Sequence, residues 1–106
     1  MEMTAPLYAA SGPQVCELPG GARLSADLDE HVQRFIYFFG VYEEGTVRWF
    51  RETLRPGMVV LDIGAHVGQY SLIAAGAVGP NGRVHAFEPN PSSYRRPLCK
   101  FEDEQF

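Results

Sequence analysis

Several features are scarce or missing in this sequence, and each shortage removes a class of function. Only two cysteines occur, Cys16 and Cys99, far apart and in no C-x-x-C pair. The expectation is two reduced thiols in an intracellular chain rather than a disulfide framework. There is no basic run, and the net charge is -4, so neither nucleic acid nor an anionic membrane surface is an expected partner. No apolar stretch approaches the roughly 18 residues of a membrane span. Residues 1–15 lack the basic start and apolar core of a signal peptide, so the default location is the cytoplasm. No His, Cys or Asp cluster has metal-ligand spacing, no nucleophile-elbow sequence occurs, and no segment repeats. The remaining composition, 45% hydrophobic and 21% charged over 106 residues, is ordinary for one small globular domain or a part of a larger one.

Along the chain, residues 1–13 are small, polar or turn-forming and read as a loose tail. Residues 14–57 read as a hairpin followed by helices. Ala22, Leu24, Ala26 and Leu28 alternate with polar residues after a "PGG" turn, the period of a half-buried strand. Val32, Phe35, Ile36 and Phe39 then recur at helical spacing, with Asp29 to cap the helix and Gly40 to end it. The aromatic group Phe35, Tyr37, Phe38, Phe39 and Tyr42 is most simply core packing. A second helix carries Val47, Phe50 and Leu54 inward, pairs Arg48 with Glu52 on its wet side, and stops at Pro56 and Gly57. Residues 58–63, "MVVLDI", and 83–87, "RVHAF", are short β-branched apolar runs that read as strands buried on both faces. A helix, "GQYSLIAAGAVG", lies between them. Strand, helix and strand with short connections make a parallel βαβ unit, so the fold class is α/β.

The chemistry concentrates in the glycine turn after the first of these strands. Doubly wound sheets bind ligands there. Gly64 and Gly68 let the backbone come close to a ligand, and the helix start offers unpaired N–H groups. A tight turn with no ligand is the plain alternative. A dinucleotide site of the NAD type wants G-x-G-x-x-G with pyrophosphate against the helix start. Here the order is Asp62-Ile63-Gly64-Ala65-His66-Val67-Gly68, with an aspartate in place of the first glycine. Two unit charges about 4 Å apart at an effective dielectric near 20 interact by roughly 4 kcal/mol, enough to disfavour a pyrophosphate. S-adenosyl-L-methionine has no phosphate and carries a sulfonium and an ammonium that a carboxylate favours. Glu88, directly after the second strand, is placed to accept both ribose hydroxyls.

The combination D-x-G-x-x-x-G with F-E-P-N-P, inside "VVLDIGAHVGQYSLIAAGAVGPNGRVHAFEPNP", resembles the first half of a S-adenosylmethionine-dependent methyltransferase domain, and most of all the FkbM family. Upstream, "QRFIYFFGVYEEG" and "LRPGMVVLDIGA" are similar to that family's N-terminal portion. The likeness runs over roughly residues 21–94. It implies a partial Rossmann-like methyltransferase fold with an N-terminal hairpin and helical flank, S-adenosylmethionine as cofactor, and methyl transfer to an oxygen of a small molecule or sugar. By the same likeness Asp62, Gly64 and Gly68, with Ala65 and His66 between them, would shape the methionine part of the site. Glu88 would hold the ribose, and Pro89 and Asn90 would line the adenine edge. Tyr70 and Ser71 would touch the cofactor or simply form the first turn of a helix. Glu43 would bring an acidic side chain near the cofactor or stand as a solvated glutamate. Where the family usually has Asn this chain has His66, which also tolerates left-handed backbone angles.

The other histidines read as structural: His31 as solvent-facing near a helix start, His85 as a hydrogen-bonded core or surface residue. The likeness fades after Tyr94. Residues 58–96 make the cofactor half-domain, and the text then turns to "PLCKFEDEQF" over 97–106. Pro97 does not suit a helix interior, and the expectation is a truncated or frame-shifted continuation. Open strand edges would then invite self-association. Three functions stay in play: a methyltransferase, a non-catalytic remnant or cofactor-binding half-domain, and a dinucleotide-binding unit.

Overall fold

The computed structural model describes residues 13–90. Strands β1 (Pro13–Glu17) and β2 (Arg23–Asp27) pair antiparallel, with Cys16 opposite Leu24. The turn between them is closed by Leu18 N–H to the Ala22 carbonyl at 2.7 Å. Gly20 and Gly21 both take positive φ there, which the "PGG" turn signal anticipates. Leu18, Ala22, Leu24, Ala26 and Leu28 are buried on one side of the hairpin, as the alternation predicts. Pro13 lies within β1, so the loose tail expected over 1–13 cannot include that residue; its remainder lies outside the described residues, as does the segment 91–106.

Helix α1 (His31–Phe39) is capped by Glu30, not Asp29. The Glu30 carboxylate accepts from Val32 N–H at 3.1 Å and Gln33 N–H at 2.9 Å, the usual way to satisfy free helix donors. Asp29 instead donates its own N–H to the Asp27 carboxylate at 3.0 Å, which turns the chain one residue before the helix. Burial alone would raise the Glu30 acid, but the Gln33 and Val32 donors and nearby His66 hold it below its ordinary value. The inward face is Ile36 and Gln33, and the Gln33 amide oxygen accepts from Asp27 N–H at 2.8 Å. The aromatic group is core only in part: Tyr42 packs against the core and Tyr37 and Phe38 are half-buried. Phe35 and Phe39 are exposed and stack on each other, centroids 4.6 Å apart, with Tyr42 edge-on to Phe35 at 5.5 Å.

Helix α2 (Glu44–Thr53) buries Val47 and ends at Leu54, also buried. Its ion pair joins Arg48 to Glu44 at 3.6 Å, on the preceding turn, in place of the Glu52 partner expected on the following one. Both groups are well solvated, so the pair contributes at most a few tenths of a kcal/mol.

Strands β3 (Val59–Ile63) and β4 (Arg83–Phe87) run parallel, Val59 opposite Arg83 and Ile63 opposite Phe87, with α3 (Gln69–Val78) crossing between them. This is the βαβ unit expected. Helix α3 is apolar almost all round, and it joins two parts of the core. Leu72 and Ile73 pack with Leu18, Leu24, Ile36 and Val47. Ala74, Ala75 and Val78 pack with Leu54 and Val84. The β3–β4 pair, however, is covered on one face only. Val60 and Val84 meet α3, while Val59, Leu61, Ile63 and Phe87 on the other face are 66%, 62%, 80% and 54% exposed. The expectation of strands buried on both faces fails because no described element lies over that side.

Two glycines separate the packing of this unit from backbone propensity. A Cβ on Gly82 would collide with the Val78 side chain and lie 2.7 Å from its carbonyl oxygen, whereas one on Gly45 in α2 meets nothing. Gly82→Ala should therefore destabilise by about 1–3 kcal/mol. Gly45→Ala should stabilise by about 0.4–1 kcal/mol. Denaturant midpoints of the two variants check both signs.

Candidate functional site

The site grows from the end of β3. The chain leaves Ile63, turns through Gly64 at φ 79° and His66 at φ 55°, and enters α3 behind Gly68 at φ 94°. The turn is fastened to the other strand, since Gly64 and Ala65 both donate to the Phe87 carbonyl, at 2.8 and 3.0 Å. Glu88, the next residue, closes the arrangement. One of its oxygens accepts from His66 N–H at 2.7 Å and the other from Asn90 N–H at 2.8 Å. The Asn90 and His66 donors hold its acid below the ordinary carboxylate range. Each oxygen keeps a second lone pair, so the carboxylate can still accept two further donors.

Behind the turn, the buried Ser71 hydroxyl donates to the Asp62 carboxylate at 2.6 Å. Ser71 sits in the first turn of α3. Tyr70 is half-buried against Phe50, ring centroids 5.3 Å apart, and its hydroxyl lies 3.4 Å from the Glu43 carboxylate. Burial raises the Tyr70 phenol above its ordinary 10.0, and Glu43 and Asp62 push it further in the same direction.

Glu43 arrives from the loop between α1 and α2 in a left-handed conformation, φ 62°. Among the described residues Glu43 and His66 are the non-glycine positions with positive φ. Both line one cavity of about 200 Å³, together with Tyr42, Gly64, Ala65 and Tyr70. Left-handed backbone costs an ordinary residue about 1–2 kcal/mol, and such strain gathers where function demands a particular geometry. A larger groove of about 470 Å³ runs along α2 past Glu44, Arg48, Arg51 and Glu52. It shares no residue with the turn, and Pro19, Val41, Val47 and Ala77 complete its lining.

The structure thus gathers Glu43, Gly64, Ala65, His66 and Tyr70 around one cavity. It sets Asp62 and Ser71 directly behind them, places Gly68 at the helix start, and ties Glu88 and Asn90 to the turn. Pro89 is exposed, two residues beyond the end of β4. His31 and His85 are exposed. Gln69 is the residue that sequence reasoning missed. It is buried, and its amide oxygen accepts from Tyr42 N–H at 2.8 Å while its amide nitrogen donates to the Tyr42 carbonyl at 2.9 Å. The partners are 27 residues apart, and no local pattern marks such a pair.

Known proteins add one likeness. No family model matches the chain, and no solved structure does. Over 83 residues, 76% of the chain, it is 37% identical to the AMB antimetabolite synthetase AmbE of Pseudomonas aeruginosa. The match covers 4% of that protein, so the chain spans a small part of the curated relative it matches. No described helix is long and apolar enough to cross a membrane, and no group of three or more metal-type ligands occurs among the described residues.

The Glu88 bonds give the site a pH signature. Because the folded pKa lies below the ordinary 4.5, the charged form is the one the fold favours. Its stabilisation is present above pH 4.5 and is lost as pH falls through the lowered folded value. The stability difference between wild type and Glu88→Gln should therefore be constant above that range and shrink below it, as followed by denaturant melts across pH.

Proposed function

We propose that this chain carries the cofactor half of an S-adenosylmethionine-dependent methyltransferase of the FkbM kind, acting on a hydroxyl of a small molecule or sugar. The β3–α3–β4 unit is then the opening of a Rossmann-like methyltransferase fold. The observation that carries the reading is the sign of charge at the turn. Glu43 lines the cavity, Glu88 accepts from His66 N–H in the turn, and Asp62 lies just behind it, so a pyrophosphate brought there would meet carboxylates. A sulfonium and an ammonium would meet favourable ones.

The donor set fits the cofactor. The free lone pairs of Glu88 suit the two ribose hydroxyls, Glu43 and Asp62 suit the cationic end, and the backbone of Gly64 to Gly68 leaves room beside them. Pro89 and Asn90 continue from Glu88 toward the adenine edge. The cavity of about 200 Å³ is below the range of roughly 300–1,000 Å³ usual for whole ligands, in keeping with a site for one end of the cofactor. Bound there, S-adenosylmethionine would supply an electrophilic methyl carbon to an acceptor oxygen. The residues of this chain orient the cofactor and balance its charge. The likeness to a biosynthetic synthetase over 83 residues supports an enzymatic setting.

A second reading, a cofactor-binding half-domain with no acceptor pocket of its own, is favoured by the open apolar face of Val59, Leu61, Ile63 and Phe87. It binds the same cofactor and differs in turnover.

Calorimetry with S-adenosylmethionine and with NAD tests the shared claim. S-adenosylmethionine should bind more tightly, and Glu88→Ala should weaken it by about one to two decades through loss of charge-assisted acceptors. Tighter binding of NAD would refute the assignment. Methylated product from purified chain and a panel of hydroxylated acceptors would decide for the enzyme over the half-domain.

A further inference from the structure

We propose that Gln69 is a positioning residue of this site. Its side-chain amide, paired with both backbone polar groups of Tyr42, holds the loop of residues 40–43 across the glycine turn. It thereby sets the Glu43 carboxylate over the cavity that takes the cationic end of the cofactor. The inference rests on the reading of the site given above.

Burying a primary amide is unfavourable unless its polar atoms are bonded. Gln69 is 5% exposed, and it bonds the N–H and the C=O of a single residue, at 2.8 and 2.9 Å. One bond would leave the loop free to pivot, whereas two to the same residue fix both its position and its direction. The next residue is Glu43, at φ 62° and ψ 61°, with no capping bond from its own side chain. An ordinary residue keeps that conformation only where its surroundings over-determine it, and the pair of bonds at Tyr42 supplies the constraint. Gln69 itself is fixed because it opens α3, whose following turns are core. Its neighbour Tyr70 extends from the same helical turn to the Glu43 carboxylate at 3.4 Å. The glycine turn and the α1–α2 loop, far apart in sequence, are thereby held in one register.

Gln69→Met keeps the side-chain volume and removes both bonds. A double-mutant cycle with Glu43→Gln isolates positioning from general loosening. S-adenosylmethionine affinity should fall about tenfold in Gln69→Met, and by under about twofold when the change is made in the Glu43→Gln background. Additive losses, or wild-type affinity in Gln69→Met, would overturn the role. Assigned NMR titration of the Tyr70 phenol needs no ligand. Gln69→Met should move it toward its ordinary value by the same amount as Glu43→Gln, and the double variant no further. An unmoved phenol in Gln69→Met sinks the clamp. In the wild type, the Tyr42 amide should be protected from hydrogen exchange; an unprotected amide also sinks it, with no variant to fold. If the phenol responds as described but wild type binds no S-adenosylmethionine, the clamp stands and the cofactor assignment falls.

Discussion

The burial of α3 is the constraint on which everything else depends. Leu72, Ile73, Ala74, Ala75 and Val78 are all buried, and they join the hairpin side of the core to the β3–β4 side. A helix hemmed in on so much of its surface cannot slide or roll without opening voids on both sides. Its first residues are therefore fixed in space, and those residues are the site: Gln69 reaches the α1–α2 loop, Tyr70 reaches Glu43, and Ser71 reaches Asp62. The alanines matter because small side chains let the neighbouring elements come close.

Charge gives this rigid frame its chemical character. Each carboxylate near the turn has a bonded partner: Glu88 the His66 and Asn90 amides, Asp62 the Ser71 hydroxyl, Glu43 the Tyr70 hydroxyl. Hydrogen bonds of this kind hold the Glu88 acid below its ordinary range. They also leave acceptor capacity unused, the basis on which a ligand rich in donors and positive charge is proposed.

Much of the local structure was legible in the sequence. The alternation from Ala22 to Leu28, the strand of 58–63 less its first residue, the helix after Gly68 and the parallel partner at 83–87 follow from period and turn residues alone, which are local signals. The failures lie where a distant partner decides. Asp29 is the better cap by residue type, yet its N–H is turned to the Asp27 carboxylate and the longer Glu30 side chain reaches the Val32 and Gln33 amides instead. The aromatic stripe of α1 has the right spacing for a core, yet Gln33 turns inward to meet Asp27 N–H, and Phe35 and Phe39 are left outside. Gln69 was invisible for the same reason, since its partner Tyr42 is remote in sequence. At the site, residue types were readable at Asp62, Gly64, Gly68 and Glu88. The fixed approach of Glu43 depends on a tertiary contact.

The central claim is that the acidic glycine turn receives S-adenosylmethionine at Glu88 and its neighbours. The most direct test is to follow the assigned backbone amide signals of His66 and Asn90, whose N–H groups the Glu88 carboxylate holds, while each ligand is added. Saturable shifts of both signals with S-adenosylmethionine, and little change with NAD at the same concentrations, are the predicted result. Signals that stay fixed with S-adenosylmethionine, or that move with NAD instead, would contradict it.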